Sequence, residues 1–538
     1  METTFTFTQY GAAATEALAA AVSRAKAGAA LTPVTVIVPS NLVGVSARRA
    51  LATQGGLAAV RFDTLLGVAR LLAAPALTDD SRIPVSDPVV AAAVRATLAK
   101  SADLLKPVAR HPATERAMVR VHRELRELDD ETLDALSTGH RHAQEIVRIH
   151  RLTHQRLTTR YFDEVDLNHA AQSIAASGHP ALEPLGSVVV YLPGQITNSG
   201  LGLLTALANQ NSLAVIAGYT GDPTADQPTQ LVVEHLGGAF TPPQPKPLTE
   251  QLSVCSLADP DEEARMAVRQ IVAAAAQGTS FARMAIAHPG TDHYASLLHQ
   301  HLRSAGLTFN GVADRRLSES IAGRTLLALL ELSGQDFSRS AVMALVSSGA
   351  IFDGDDKKIP SAQWERLSRQ AGVTSGLEQW ERRLNQYRAD QEQDKQNKEA
   401  AGLDPSTWSR FEENTTQAKN LTTFVHRLAE AVNDIEPRSS WPELTAWAEK
   451  LLKQYLAPAT ARPDWPEAET EALSQVTDLL RSLSRLHFVE ATPGLTTFYR
   501  AVSDGLDRGL DRSGRFGEGV LVGGLSVVAG LDLDLVIV

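Results

Sequence analysis

The amino-acid sequence predicts an α/β fold built on two parallel-sheet domains, each interrupted by a helical insertion. Three observations carry this expectation. Short β-branched runs alternate with helix-like stretches, two long regions show helical periodicity without strand signals, and one proline-rich polar segment separates the halves.

Residues 33–39, PVTVIVP, are a short apolar run of the buried-strand kind, and Ser40 and Asn41 offer helix caps ahead of LVGVSARRAL. The pair reads as a strand-to-helix crossover. Residues 187–195, SVVVYLPGQ, followed by an apolar helix over 201–208, repeat the pattern, and 212–219, SLAVIAGY, add a third strand. Strands that alternate with helices build parallel sheets, because only a crossover returns the chain in the same direction. Between residues 86 and 163 the periodicity becomes helical and rich in Arg and His, as expected of an insertion in the first domain.

The stretch TPPQPKPLTEQ, residues 241–251, concentrates prolines and polar residues and marks a linker. After it, QLSVCSLA over 251–258 reads as a strand, residues 259–276 as a helix and MAIAHP, 284–289, as another strand. Helical patterns fill roughly residues 317 to 512, including the polar tract 388–402, which fits a solvated helix or a mobile loop; strands near Val520 and Leu535 then return to the second sheet. The expected domains are therefore 1–85 with 164–240, an insertion 86–163, a linker 241–251, a second domain 252–316 with 515–538, and an insertion 317–514.

Composition sets the outer bounds. A chain of 538 residues exceeds one hydrophobic core, and a hydrophobic fraction of 43% with 21% charged residues excludes wholesale disorder. The formal net charge of -11 neither demands nor forbids nucleic acid, since screening over about 10 Å lets a cationic groove coexist with an acidic exterior. A single cysteine, Cys255, rules out an internal disulfide and a cysteine-built metal site. With no leader-like N-terminus and no run of roughly 20 apolar residues, a cytoplasmic protein without a membrane role is expected. The sequence stops at Val538 inside an apolar β-branched run, so a continuation beyond it is also expected.

Two α/β domains with a helical insertion in each are the layout of superfamily 1 helicases, whose motifs follow the carboxyl ends of strands. The family's phosphate loop ends in Gly-Lys-Ser/Thr; the segment QYGAAATEALAAA keeps Gly11 but has Ala13, Ala14 and Thr15 there, without a lysine charge. In YLPGQITN, Gln195, Thr197 and Asn198 match the second motif while Leu192 and Pro193 replace its magnesium-binding carboxylates. Gly218 is followed by Tyr219 instead of aspartate, and Pro289 stands at the arginine of the fourth motif. AGLDLDLVIV resembles the fifth motif, with Gly530, Leu531, Asp532 and Asp534 in register and Ala529 in place of lysine.

Together with PVTVIVPSNLVGVSARRAL, VRFDTLLGVARLL and the stretch over 259–309, these features are similar to the N-terminal halves of AddB/RecB-type helicase-nucleases. The resemblance implies two RecA-like domains, no ATP hydrolysis by this region, and a PD-(D/E)XK nuclease beyond Val538. It implies DNA as partner, single-stranded or at duplex ends, and a motor subunit of the AddA type. No cofactor is expected within these residues; magnesium and ATP belong to the full-length complex.

The same resemblance places DNA contacts at Ser40, Asn41, Phe62, Thr64 and Asp532. Each has a structural alternative. Ser40 and Asn41 suit helix capping as well as phosphate contact, and Phe62 suits the core as well as base stacking. The arginines of 110–160 either form a cationic face or pair with interspersed carboxylates, and His150 and His154, four apart, lack the partners of a metal motif. Asp259, Asp261, Glu262 and Glu263 read as a helix start rather than a cation site. The leading expectation is a helicase-like DNA-binding subunit for double-strand break processing; the alternatives are an active ATP-dependent helicase-nuclease and a protein-interaction scaffold.

Overall fold

The computed structural model describes residues 3–538 apart from 80, 245–251, 291, 312–314, 349, 354–357, 405, 407, 459–464 and 508–513. Among the described residues the strands run β1 (Thr3–Thr8), β2 (Val34–Ile37), β3 (Val60–Asp63), β4 (Ile83–Pro84), β5 (Tyr161–Phe162), β6 (Ser187–Tyr191), β7 (Leu213–Gly218), β8 (Met284–His288), β9 (Phe309–Gly311), β10 (Val520–Gly524) and β11 (Leu535–Ile537). The protein is α/β. One sheet has the order β1-β7-β6-β2-β3 and a second β11-β8-β10-β9, with every pairing parallel. The short pair β4-β5 closes the base of the first helical insertion.

The central strands are buried on both faces, which is why they read as unbroken Val runs. In β6, Val188 and Val190 enter one core cluster with Leu203, Leu204 and Leu207 of the helix Asn198–Gln210. Its alternate residues, Val189 and Tyr191, face the opposite cluster with Leu18 and Val22 of the helix Ala12–Lys26. In the second sheet, Met284, Ile286, Val520 and Val522 pack on the helices Pro260–Ala276 and Asp292–Ser304. The intervening Ala285, Ala287 and Leu521 instead join the first sheet's cluster. Both sheets belong to one compact unit, Met1–Asp314 with Asp511–Val538.

The expected strand over 251–258 is a correction. Residues 252–257 have no regular structure; Leu252 and Val254 are exposed, so the apolar alternation of this segment buries nothing that would hold it as a strand. Of the linker, 241–244 is irregular and 245–251 lies outside the described residues. The first insertion is helical as expected, with helices Asp87–Ser101, Pro112–Leu125, Asp130–Ser137 and Arg141–Thr158.

The second unit, Arg315–Leu510, is helical. Its core is aromatic, with Trp380, Trp441, Tyr455, Phe424 and Phe498 fully buried. The polar tract 388–402 is the exposed end of the helix Leu377–Ala400, which pairs with Ser409–Asn433; Gln386–Asp390 and Gln393–Asn397 hydrogen bonds at i,i+4 support it. Trp380 also donates its indole N–H to the Phe337 carbonyl at 2.7 Å. Trp380→Ala is therefore expected to lower stability by about 3–5 kcal/mol, from lost packing and an orphaned carbonyl. Denaturant unfolding followed by tryptophan fluorescence measures it; a loss below about 1 kcal/mol would contradict this core.

Candidate functional site

The loops at the carboxyl ends of the first sheet are where a parallel sheet presents ligand-binding groups. Only residues 9–11 separate β1 from the helix Ala12–Lys26. Gly11 has a φ of 85°, and its carbonyl accepts the amides of Ala14 and Thr15 at 3.1 and 3.2 Å. A turn this short closes on its own helix and leaves no loop to wrap a phosphate. Thr15 is buried with its hydroxyl on the Gly11 carbonyl at 3.4 Å, and burial raises the pKa of the Tyr191 phenol.

After β6, Leu192 takes a left-handed φ of 47° and buries its side chain in the core. Pro193 is buried behind it, and its carbonyl accepts from the Thr229 hydroxyl at 3.0 Å. Gln195 is exposed. Thr197 caps the next helix through the Gly200 amide, and the Glu127 carboxylate accepts the Ser199 amide and hydroxyl at 3.0 and 3.2 Å, setting negative charge at that helix start. Tyr219 is buried with its amide on the Thr8 carbonyl, while Pro289 and Ala529 are exposed at the ends of β8 and the short helix Leu525–Val528. None of these positions supplies a cation or a magnesium ligand, and among the described residues no group of three or more His, Cys, Asp or Glu side chains could hold a metal ion.

The loops after β2 and β3 lie side by side, with Ile37 opposite Asp63. Ser40 accepts the Val43 amide at 3.3 Å and Thr64 accepts the Gly67 amide at 3.1 Å, so both hydroxyls serve as helix caps. Asn41 is exposed beside Ser40. Phe62 is half-buried against the core formed with Val38 and Val43. Gly67 is needed here because a Cβ would fall 1.7 Å from the Asp63 carboxylate, which accepts the Thr64 amide at 2.9 Å.

Asp532 is not with these loops. It lies in a cleft of about 450 Å³ between the two sheets, beside Thr15, Glu16, Arg49, Arg283 and Phe516. A methyl group at Gly11 would sit 3.8 Å from its carboxylate, so the charge stands at the start of the helix Ala12–Lys26. Arg283 reaches Asp532 at 3.2 Å and both oxygens of Asp534 at 2.7 Å. Across the cleft, Arg49 donates two N–H groups to the Phe516 carbonyl at 3.2 Å and lies 5.6 Å from its ring. Gly517 allows this approach: its φ is 86°, and a Cβ would meet the Arg49 guanidinium at 1.9 Å. Behind these polar contacts, Val43, Ala47, Leu51, Tyr191 and Leu192 share one apolar cluster with Ala285, Ala287, Leu521, Val528 and Leu531.

In the helical insertion several of the arginines pair with carboxylates, mostly between helices. Arg95 meets Glu115 at 3.0 Å, Arg151 meets Asp134 at 2.5 Å and Arg123 meets Asp87. Arg126 binds Asp163 in bidentate fashion at 2.6 and 3.0 Å and Asp166 at 2.9 Å. Beside it stand His122, His150 and His154, with ring centroids 4.7 and 6.4 Å apart in sequence. Burial, then mutual repulsion, pushes His122 down to about 3; burial, then His154, pushes His150 down to about 4. Asp259 caps its helix through the Glu262 amide at 2.9 Å, as a helix start requires. His122 and Glu127 were absent from the sequence-based candidates, because nothing in their local pattern marks the partners they find.

No protein-family model matches this chain, and no curated protein matches it significantly.

Proposed function

We propose that this chain is a helicase-like DNA-binding region that holds or guides a single strand and does not hydrolyse ATP. The observation that carries the reading is the chemistry of the strand-end loops: the sheets are parallel, as in a nucleotide-driven motor, yet the positions where phosphate or magnesium chemistry would lie hold caps, core residues and uncharged exposed residues. Leu192 and Pro193 cannot ligate magnesium, and Asp532 sets a carboxylate where a nucleotide phosphate would need positive potential. The apolar seam that joins the two sheets behind the cleft argues in the same direction, since a motor must open and shut there.

Membership of the AddB/RecB-type helicase-nucleases, a role in double-strand break processing, an AddA-type partner and a nuclease beyond Val538 are parts of the same proposal, carried by the motif order. Among the described residues no helix is long and apolar enough to cross a membrane; a cytoplasmic location is a further part of the proposal. Titration with labelled single-stranded DNA, alongside an ATP-turnover assay, tests the core of the reading. Binding should weaken steeply with salt, as released counterions dictate, with no DNA-stimulated turnover. Robust stimulated hydrolysis would overturn the loss of the motor, and absence of binding at low salt would overturn the DNA role in favour of a scaffold.

A further inference from the structure

A second cavity, of about 500 Å³, lies where the helical insertion meets the first sheet's ligand-binding edge. Leu66, Ala74, Val90, Leu157, Phe162 and Leu167 form an apolar part of its wall, and arginines, histidines and carboxylates line the rest. Leu66 belongs to the helix Leu65–Asp79, which starts directly after the Phe62–Thr64 loop. Glu127, on the opposite side, is the residue that caps the helix following β6. The cavity therefore opens beside two strand-end loops, not in a remote part of the insertion.

Its charge pattern selects what can enter. The Arg126 guanidinium lines it but is already matched by Asp163 and Asp166, so it offers no unmatched cation for a phosphate. Glu127 and Glu164 also line it; burial, then the Glu127 charge, raises the Glu164 carboxyl, and two carboxylates here disfavour a further anion. His122 and His154 present imidazoles that stay neutral near pH 7, because burial lowers both. What remains is an apolar wall beside the hydrogen-bonding edges of two neutral rings and a carboxyl, in a cavity of about 500 Å³ with Arg70 and Arg123 among its lining residues.

We infer that this cavity receives one unstacked nucleobase of the bound strand, leaving the sugar-phosphate backbone outside. The inference rests on the single-strand reading above. A neutral heteroaromatic ring satisfies all three features: it is apolar on its faces, carries donors and acceptors on its edge and brings no charge past Glu127 and Glu164. Extruding a base from its stack costs free energy, which ring contacts in the slot offset.

The test compares two probes on the whole chain: a fluorescent single-stranded oligonucleotide carrying 2-aminopurine, and a fully abasic strand of equal length. Ala74→Trp fills the slot with an indole, and Thr158→Phe fills it from the other side, so a folding failure in one leaves the other to decide. Folded variants should bind the base-bearing strand about tenfold more weakly than the parent, with unchanged affinity for the abasic strand. The 2-aminopurine signal of the bound parent complex should also be lost. Undiminished binding of the base-bearing strand to both folded variants would overturn the inference and leave the DNA role standing. Failure of the parent to bind either probe would overturn both.

Discussion

Acidification from about pH 7 to about pH 4 is expected to remove on the order of a few kcal/mol of stability, before most carboxylates titrate. The cause is the pair His122 and His150, both 3% exposed, with folded-state values of about 3 and about 4 against an ordinary 6.5. Below pH 6.5 the unfolded chain binds protons that the folded chain refuses, so stability is fully present above 6.5 and declines as pH falls toward 4. Because the rings lie 4.7 Å apart, the loss belongs to the pair and not to either residue alone. Denaturant midpoints across this range measure it. His122→Phe keeps the ring volume and removes one titration, so its profile should be flatter than the parent's. Parallel profiles for parent and variant would sink the assignment.

The parts of the fold legible in sequence were those whose physics is local. β2, β6, β7 and β8 announce themselves because burial on both faces demands consecutive apolar residues, as in VVV of 188–190. β1 was missed since TTFTFT sits at a sheet edge and alternates Thr with Phe; β3 and β9 were missed because four and three residues carry too little pattern. QLSVCSLA misled for the opposite reason: its apolar alternation is real, but Leu252 and Val254 stay exposed, without the burial that would hold a strand. At the site, the absence of a lysine after Gly11 and of carboxylates at Leu192 and Pro193 was legible by inspection, whereas the capping of Ser40 and Thr64 needed the helix geometry. The cavity in the insertion was illegible, because its walls come from segments as far apart as Leu66 and Leu167.

The seam between the two sheets carries the largest expected effect. Ala287 is 3% exposed on β8, opposite Gly523 of β10, and its methyl faces the cluster that contains Val43, Ala47 and Leu192. Ala287→Glu would force a carboxylate into this cluster with no cation among its members, and an unpaired buried ion costs several kcal/mol even after relaxation. The helices Pro260–Ala276 and Asp292–Ser304 pack on the other face of β8, so the damage should concentrate on the seam. Hydrogen exchange is expected to accelerate together in β10 and in the helix Asn41–Gly55, elements that touch only if the two sheets share one core. Arg49→Ala, by contrast, removes exposed polar contacts and should shift stability by less than about 1 kcal/mol. Unaltered protection of the helix Asn41–Gly55 in Ala287→Glu would show that the seam is not closed. Because side chains from both sheets share this seam, separating the sheets would expose them to water, so the seam resists opening of the cleft in front of it.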